Sequence, residues 1–174
     1  MYWKARIFIK ANKKAIQFIF LFILFFFIGQ VAYHVAEPYT KQYIIPKGIA
    51  EAGSTLINLL TPQEKTVVKG ELIQSGSFTL RIAVGCDGFE ALLIVVAGIV
   101  AFSSMGWRTK LLGVLAGSFI IYLVNLLRII VLYYTSKYKP AIFEMMHVYV
   151  GQTFIILIGC LFFLYWINAF AKTE

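Results

Sequence analysis

The stretch 18–28 reads FIFLFILFFFI, without one polar side chain, and it limits what this chain can become more than any other segment. It sits inside residues 15–36, and about 20 mostly apolar residues are what a helix needs to cross a hydrocarbon layer roughly 30 Å thick. Composition agrees, with 60% hydrophobic and 14% charged residues where a soluble domain carries about 25% charged. A soluble globule is excluded, as are disordered, coiled-coil and collagen-like chains. The formal charge of +8 would point to nucleic acid in a soluble protein. In a membrane chain basic residues fix orientation instead, so no nucleic-acid partner is expected.

Five basic residues (Lys4, Arg6, Lys10, Lys13 and Lys14) precede the first apolar run, and no small-x-small cleavage site follows it. This is the pattern of an uncleaved signal-anchor with its N-terminus in the cytoplasm. Three further spans are expected, at 88–105, 111–134 and 141–170. The loop 106–110 carries Arg108 and Lys110 and should be cytoplasmic. The model then has four transmembrane helices with both termini inside. Eight basic residues fall inside, and seven outside are diluted over longer segments. Gly113 and Gly117 make a small-xxx-small pair that either brings helices close or occurs there by chance. Trp107, Tyr133, Tyr134 and Trp166 near the span ends have the placing of interfacial anchors.

Residues 37–85 lose the apolar character and gain Pro38, Pro46 and Pro62. Ile49, Gly53, Leu56 and Leu60 recur at helical spacing, which predicts a short amphipathic helix on the membrane surface, ended by Pro62. Residues 66–73 and 78–84 read as two strands of a hairpin, because Phe78, Leu80, Ile82 and Val84 alternate with smaller or polar residues and Ser75-Gly76 supplies a turn. The expected fold class is therefore an all-α integral membrane protein with a small extracytoplasmic α/β insertion. Its divisions are 1–36 (basic N-terminus and first span), 37–85 (extracytoplasmic segment) and 86–174 (three-helix membrane core).

Ionisable residues inside spans are costly and therefore suspects for function. The candidates are Cys86, Asp87 and Glu90 at the start of the second span, Arg128 in the third, and Glu144 and His147 in the fourth. Arg128 lies 17 residues beyond Leu111, roughly 25 Å from the inner surface at helical rise. His147 lies roughly 10 Å below the outer one. Cys86, Arg128 and His147 thus reach one membrane face from three segments. Each has a second reading: Cys86 as a small buried hydrophobe, Arg128 as a snorkelling side chain, His147 as a satisfied interior histidine. Together they are the types that acyl transfer uses, a thiolate nucleophile, a proton carrier and an oxyanion partner. Gly85 and Gly88 would allow a close backbone approach to substrate, and a helix N-terminus at Cys86 would favour thiolate. Glu144, three residues before His147, could orient the ring or face the headgroups. Cys160 lies roughly 20 Å deeper than His147 and reads as packing, so no disulfide with Cys86 is expected. His34 closes the first span as a solvated residue. No cofactor fingerprint and no metal-ligand spacing occurs.

Gly85-Cys86-Asp87-Gly88 opening a span, Asn125-Leu126-Leu127-Arg128 late in the next, and His147 early in the last resemble the exosortase/archaeosortase family, in its small exosortase H form. The resemblance covers roughly residues 80 to 160. It implies a membrane cysteine endopeptidase/transpeptidase of the bacterial inner membrane, with Cys86 as nucleophile, Arg128 as oxyanion and carboxylate partner and His147 as general acid/base. Its substrates would be exported proteins with a C-terminal sorting signal of motif, transmembrane helix and basic tail, the motif being of an IPTLxxWG type. The new C-terminus would pass through a thioester to an acceptor, at the periplasmic face. Two departures stand out: many members have about eight spans, and the residue after the cysteine is often Ser or Asn where this chain has Asp87. A competing expectation from another class is a non-enzymatic subunit of a transport or envelope-assembly complex, with Arg128 and His147 lining a polar pathway.

Overall fold

The computed structural model describes residues 13–83 and 85–170. Lys4, Arg6, Lys10, Val84, Lys172 and Glu174 lie outside the described residues. The apolar run forms helix α1 (Lys13–Tyr39), which does not stop at its prolines. It passes through a π-helical stretch, Thr40–Ala50, into α2 (Glu51–Leu60). A widened helix absorbs Pro46, which has no N–H to donate, and the Glu51 N–H reaches back to the Pro46 carbonyl. The resulting helical run has 48 residues, more than twice the length that a layer of ~30 Å requires. Its second half therefore rises beyond the hydrocarbon. The amphipathic segment expected to lie on the membrane surface is instead the end of this long helix, with Gly53, Ser54 and Ile57 buried inward.

After a short turn at Pro62–Glu64 come β1 (Val67–Lys69), β2 (Leu72–Ser75) and β3 (Phe78–Arg81). They form one antiparallel sheet in that order. The expected strand 66–73 is thus a tight hairpin of its own. Gly70 turns it with φ +60, a conformation that a residue with a Cβ adopts only under strain. The second turn, at Gly76, was legible in the sequence.

Then α3 (Phe89–Ala101) and α4 (Trp107–Tyr138) follow. A second π-helical stretch, Met145–Gly151, runs into α5 (Gln152–Phe170). Among the described residues three helical runs are long and apolar enough to span a membrane: Lys13–Leu60, Trp107–Tyr138 and Met145–Phe170. The expected span 88–105 is shorter in the structure. Helix α3 has 13 residues, about 20 Å, and lies in the middle of the bundle against α1, α4 and α5. Its apolar residues are buried by protein, not by length across lipid.

Two cores result. Ala91, Val95, Ile99, Ile121, Ile155 and Trp166 fill the helix bundle, and Ile45, Ile57, Ile73, Leu80, Ile129 and Tyr133 fill the junction of α2, the sheet and the end of α4. Gly113 and Gly117 do bring helices close: a Cβ on Gly113 would meet the Trp166 ring at 2.5 Å, and one on Gly117 would meet Phe162 and Val95 at 2.7 Å. Trp166 is accordingly buried, as is Tyr133, so neither is an interfacial anchor. Trp107, 70% exposed, keeps the placing expected of one. Cys160 is exposed on α5, not packed, and both cysteines are free.

Candidate active site

The sheet, the start of α3, the last turns of α4 and the π-helical start of the final helix all meet at one end of the bundle. The three residues picked out for acyl-transfer chemistry come together there. Cys86 Sγ lies 2.6 Å from His147 Nε2, in hydrogen-bond contact across 61 residues of sequence. Arg128 Nη2 donates to the main-chain carbonyl of His147 itself at 3.2 Å. The π-helical backbone of Met145–Gly151 makes this geometry possible, as π-bulges often do at functional sites. Gly151 completes it, because a Cβ there would stand 2.9 Å from Arg128 Nε. The guanidinium fits only where that side chain is missing.

Arg128 is 7% exposed, yet its Nε and Nη1 find no partner among the described residues. Orphaned buried donors are costly and call for an explanation. A cavity of about 230 Å³ lies beside this arginine, lined also by Gly85, Cys86, His147, Val148 and Gln152. A second, of about 150 Å³, also reaches the Cys86–His147 pair and is lined by Leu80, Arg81, Ile82, Ile129 and Phe143. The arrangement offers a thiol in contact with an imidazole, a guanidinium beside them, and two cavities that reach the pair. It can hold an extended chain across a nucleophile.

Several expectations need correction. Cys86 is not on a helix; it lies in a turn closed by its own N–H on the Ala83 carbonyl at 3.0 Å, ahead of α3, so the helix dipole favours its thiolate little. Burial pushes the Cys86 thiol above its ordinary value, the Arg128 charge opposes this, and the Asp87 carboxylate adds to it. Asp87 itself faces elsewhere. One oxygen accepts from the Phe89 N–H at 3.2 Å, capping α3, and the other is held by the Tyr33 hydroxyl. Gly88 (φ +78) lets the chain approach Asn125, not a substrate, since a Cβ there would meet the Asn125 side chain at 2.8 Å. Glu144 is exposed and makes no hydrogen bond to His147; the ring is stacked on Phe143 at 5.5 Å instead. Glu90 pairs with Gln152 at 3.0 Å. His34 is exposed and contacts Glu37 at 3.4 Å, away from this site.

Tyr33, Phe143, Gly151 and Gln152 escape sequence reasoning. Gly151, one turn after His147, was the one readable signal; the others look like ordinary members of apolar helices. No group of His, Cys, Asp and Glu able to hold a metal ion occurs among the described residues.

The family model for transmembrane exosortases (Exosortase_EpsH) matches residues 7–165. The chain belongs to this family. The match takes in all of the exosortase elements that meet at the site, from α1 to most of α5. Comparison with curated proteins and with solved structures gave no match. Membership accords with a multi-pass membrane protein of transpeptidase-like role.

Proposed function

We propose that the chain is a membrane-embedded cysteine endopeptidase/transpeptidase that cuts the C-terminal sorting signal of exported proteins, with Cys86, His147 and Arg128 as its catalytic residues. The observation that carries this is the 2.6 Å contact of Cys86 Sγ with His147 Nε2, made by residues from separate segments at an exosortase site. His147 Nε2 accepts the thiol proton as Sγ attacks the scissile carbonyl carbon. The positive charge of the Arg128 guanidinium, which lines the same cavity, stabilises the oxyanion that develops. His147 then passes its proton to the leaving amine, and the C–N bond breaks. The exported part is left as a thioester on Cys86, and the sorting helix departs with its new N-terminus. An acceptor nucleophile attacks the thioester, gives its proton to His147, and releases the thiol. In this reading the membrane is the bacterial cytoplasmic membrane, with both termini in the cytoplasm and the site at the outer face. A polar-pathway subunit would have no use for a cysteine bonded to its histidine, which favours the enzyme.

The test is processing of a co-expressed exported reporter that ends in a motif, an apolar helix and a basic tail from the same genome. Cys86→Ala is expected to abolish the size shift while the protein accumulates normally. Wild-type processing by that variant would refute the nucleophile assignment.

A further inference from the structure

We infer that the substrate docks by strand addition, its extended motif pairing with the free edge of β3 and running from there to Cys86. This rests on the proposal above that a polypeptide is the substrate. In the sheet order β1-β2-β3, one long side of β3 has no neighbouring strand among the described residues. The register fixes which groups face that side. Leu80 pairs with Ile73, and the Ile82 N–H donates to Glu71 O at 2.9 Å, so Phe78, Leu80 and Ile82 turn their backbone groups toward β2. In an antiparallel pair the alternate residues point the other way. The N–H and C=O of Thr79 and Arg81 therefore face outward, with no backbone partner among the described residues.

The Arg81 side chain pairs with Glu71, in the turn before β2, Nε to Oε1 at 2.6 Å. The strand leads into the Ala83–Cys86 turn, and Leu80, Arg81 and Ile82 line the cavity of about 150 Å³ together with Cys86, Phe143 and His147. An occupant must offer donors and acceptors at strand spacing with an apolar side chain on one face. Only an extended polypeptide does both, the edge supplying affinity and the pocket specificity. A lipid lacks donors and acceptors at strand spacing, and a sugar acceptor lacks the apolar side chain.

Proline separates the backbone contribution from the side chain. Thr79→Pro and Arg81→Pro each delete one outward N–H and none that donates to β2, a placement that edge strands tolerate. The expected result is that reporter processing falls about tenfold further for each proline variant than for alanine at the same position, the loss of roughly one hydrogen bond. Labelling of Cys86 by a small maleimide should stay as in wild type. Equal rates for the proline and alanine variants would overturn strand addition. Because a proline variant can fail to fold, a second measurement uses Thr79→Cys with Cys86→Ser and Cys160→Ser. Disulfide cross-linking to single cysteines placed along the reporter motif should alternate strong and weak with a period of two. A flat pattern, or one of helical period, would overturn docking at this edge. Cross-linking needs no turnover, so a failure of Cys86 as nucleophile shows separately, as unimpaired processing by Cys86→Ala.

Discussion

At the scale of single residues the site balances charge around one thiol. Burial disfavours the Cys86 thiolate, Arg128 favours it and Asp87 disfavours it. A thiol raised in this way reacts with alkylating agents only as pH climbs toward its own titration. Asp87→Asn removes the opposing carboxylate and should move the alkylation midpoint of Cys86 downward, and Arg128→Met should move it upward. Iodoacetamide rates against pH check both, and opposite directions would contradict the account. Cys86, Arg128 and His147 were legible because a chain this poor in charge has few other reasons to keep them in its apolar segments. The partners of Asp87 were not legible. Tyr33 is one more aromatic residue in a helix full of them, and only the close packing of α1 on α3 brings it to that carboxylate.

At the scale of elements, two π-helical stretches do what straight helices could not. The first lets a spanning helix continue past Pro46 into the extramembrane core, and the second turns the His147 carbonyl toward Arg128. Neither was visible as periodicity, because a widened turn changes the spacing that periodic patterns rely on. The strand signal was readable over 78–81, where β3 ends short of the expected bounds, and Gly70 was the overlooked cue to the third strand. Gly151→Ala is the sharpest test at this level. Its methyl would press on the guanidinium from 2.9 Å, and overpacking costs about 1–3 kcal/mol. Processing should fall by up to about 100-fold, as small misplacements in active sites do, with normal accumulation in the membrane. Unchanged processing would mean that Arg128 does not need this seat.

At the scale of the whole molecule, the sheet is fastened to the membrane helices by one buried carboxylate that sequence patterns do not mark. Glu64 accepts from Tyr133 at 2.5 Å and from Ser75 at 2.9 Å, and also binds Lys137 and Tyr138. Tyr133 and Lys137 share a face of α4 at i, i+4 spacing, which in hindsight is the only trace. The Lys137 ammonium foremost, and then the tyrosine hydroxyls, hold the Glu64 carboxyl at about 2 against an ordinary 4.5. A depressed carboxylate contributes stability that is complete above the unfolded value and lost as pH falls through the folded one. The window here runs from 4.5 down to about 2. Glu64→Ala leaves buried donors unpaired and should cost ~3 kcal/mol, read by thermal unfolding in detergent at neutral pH. The cost should shrink across that acidic window. Three long apolar helical runs and the meeting of three reactive residues at one end were readable from apolar lengths. The burial of α3 within the bundle was not, since a short apolar run looks alike in lipid and in protein.

The central claim is that Cys86 carries the exported part of the substrate as a thioester. Intact mass of the purified chain after incubation with the reporter tests it directly. An adduct with the mass of the reporter's N-terminal part is predicted on Cys86, released by hydroxylamine and missing from Cys86→Ala. Cleavage of the reporter by the wild-type chain with no such adduct, or an adduct that persists in Cys86→Ala, would contradict it.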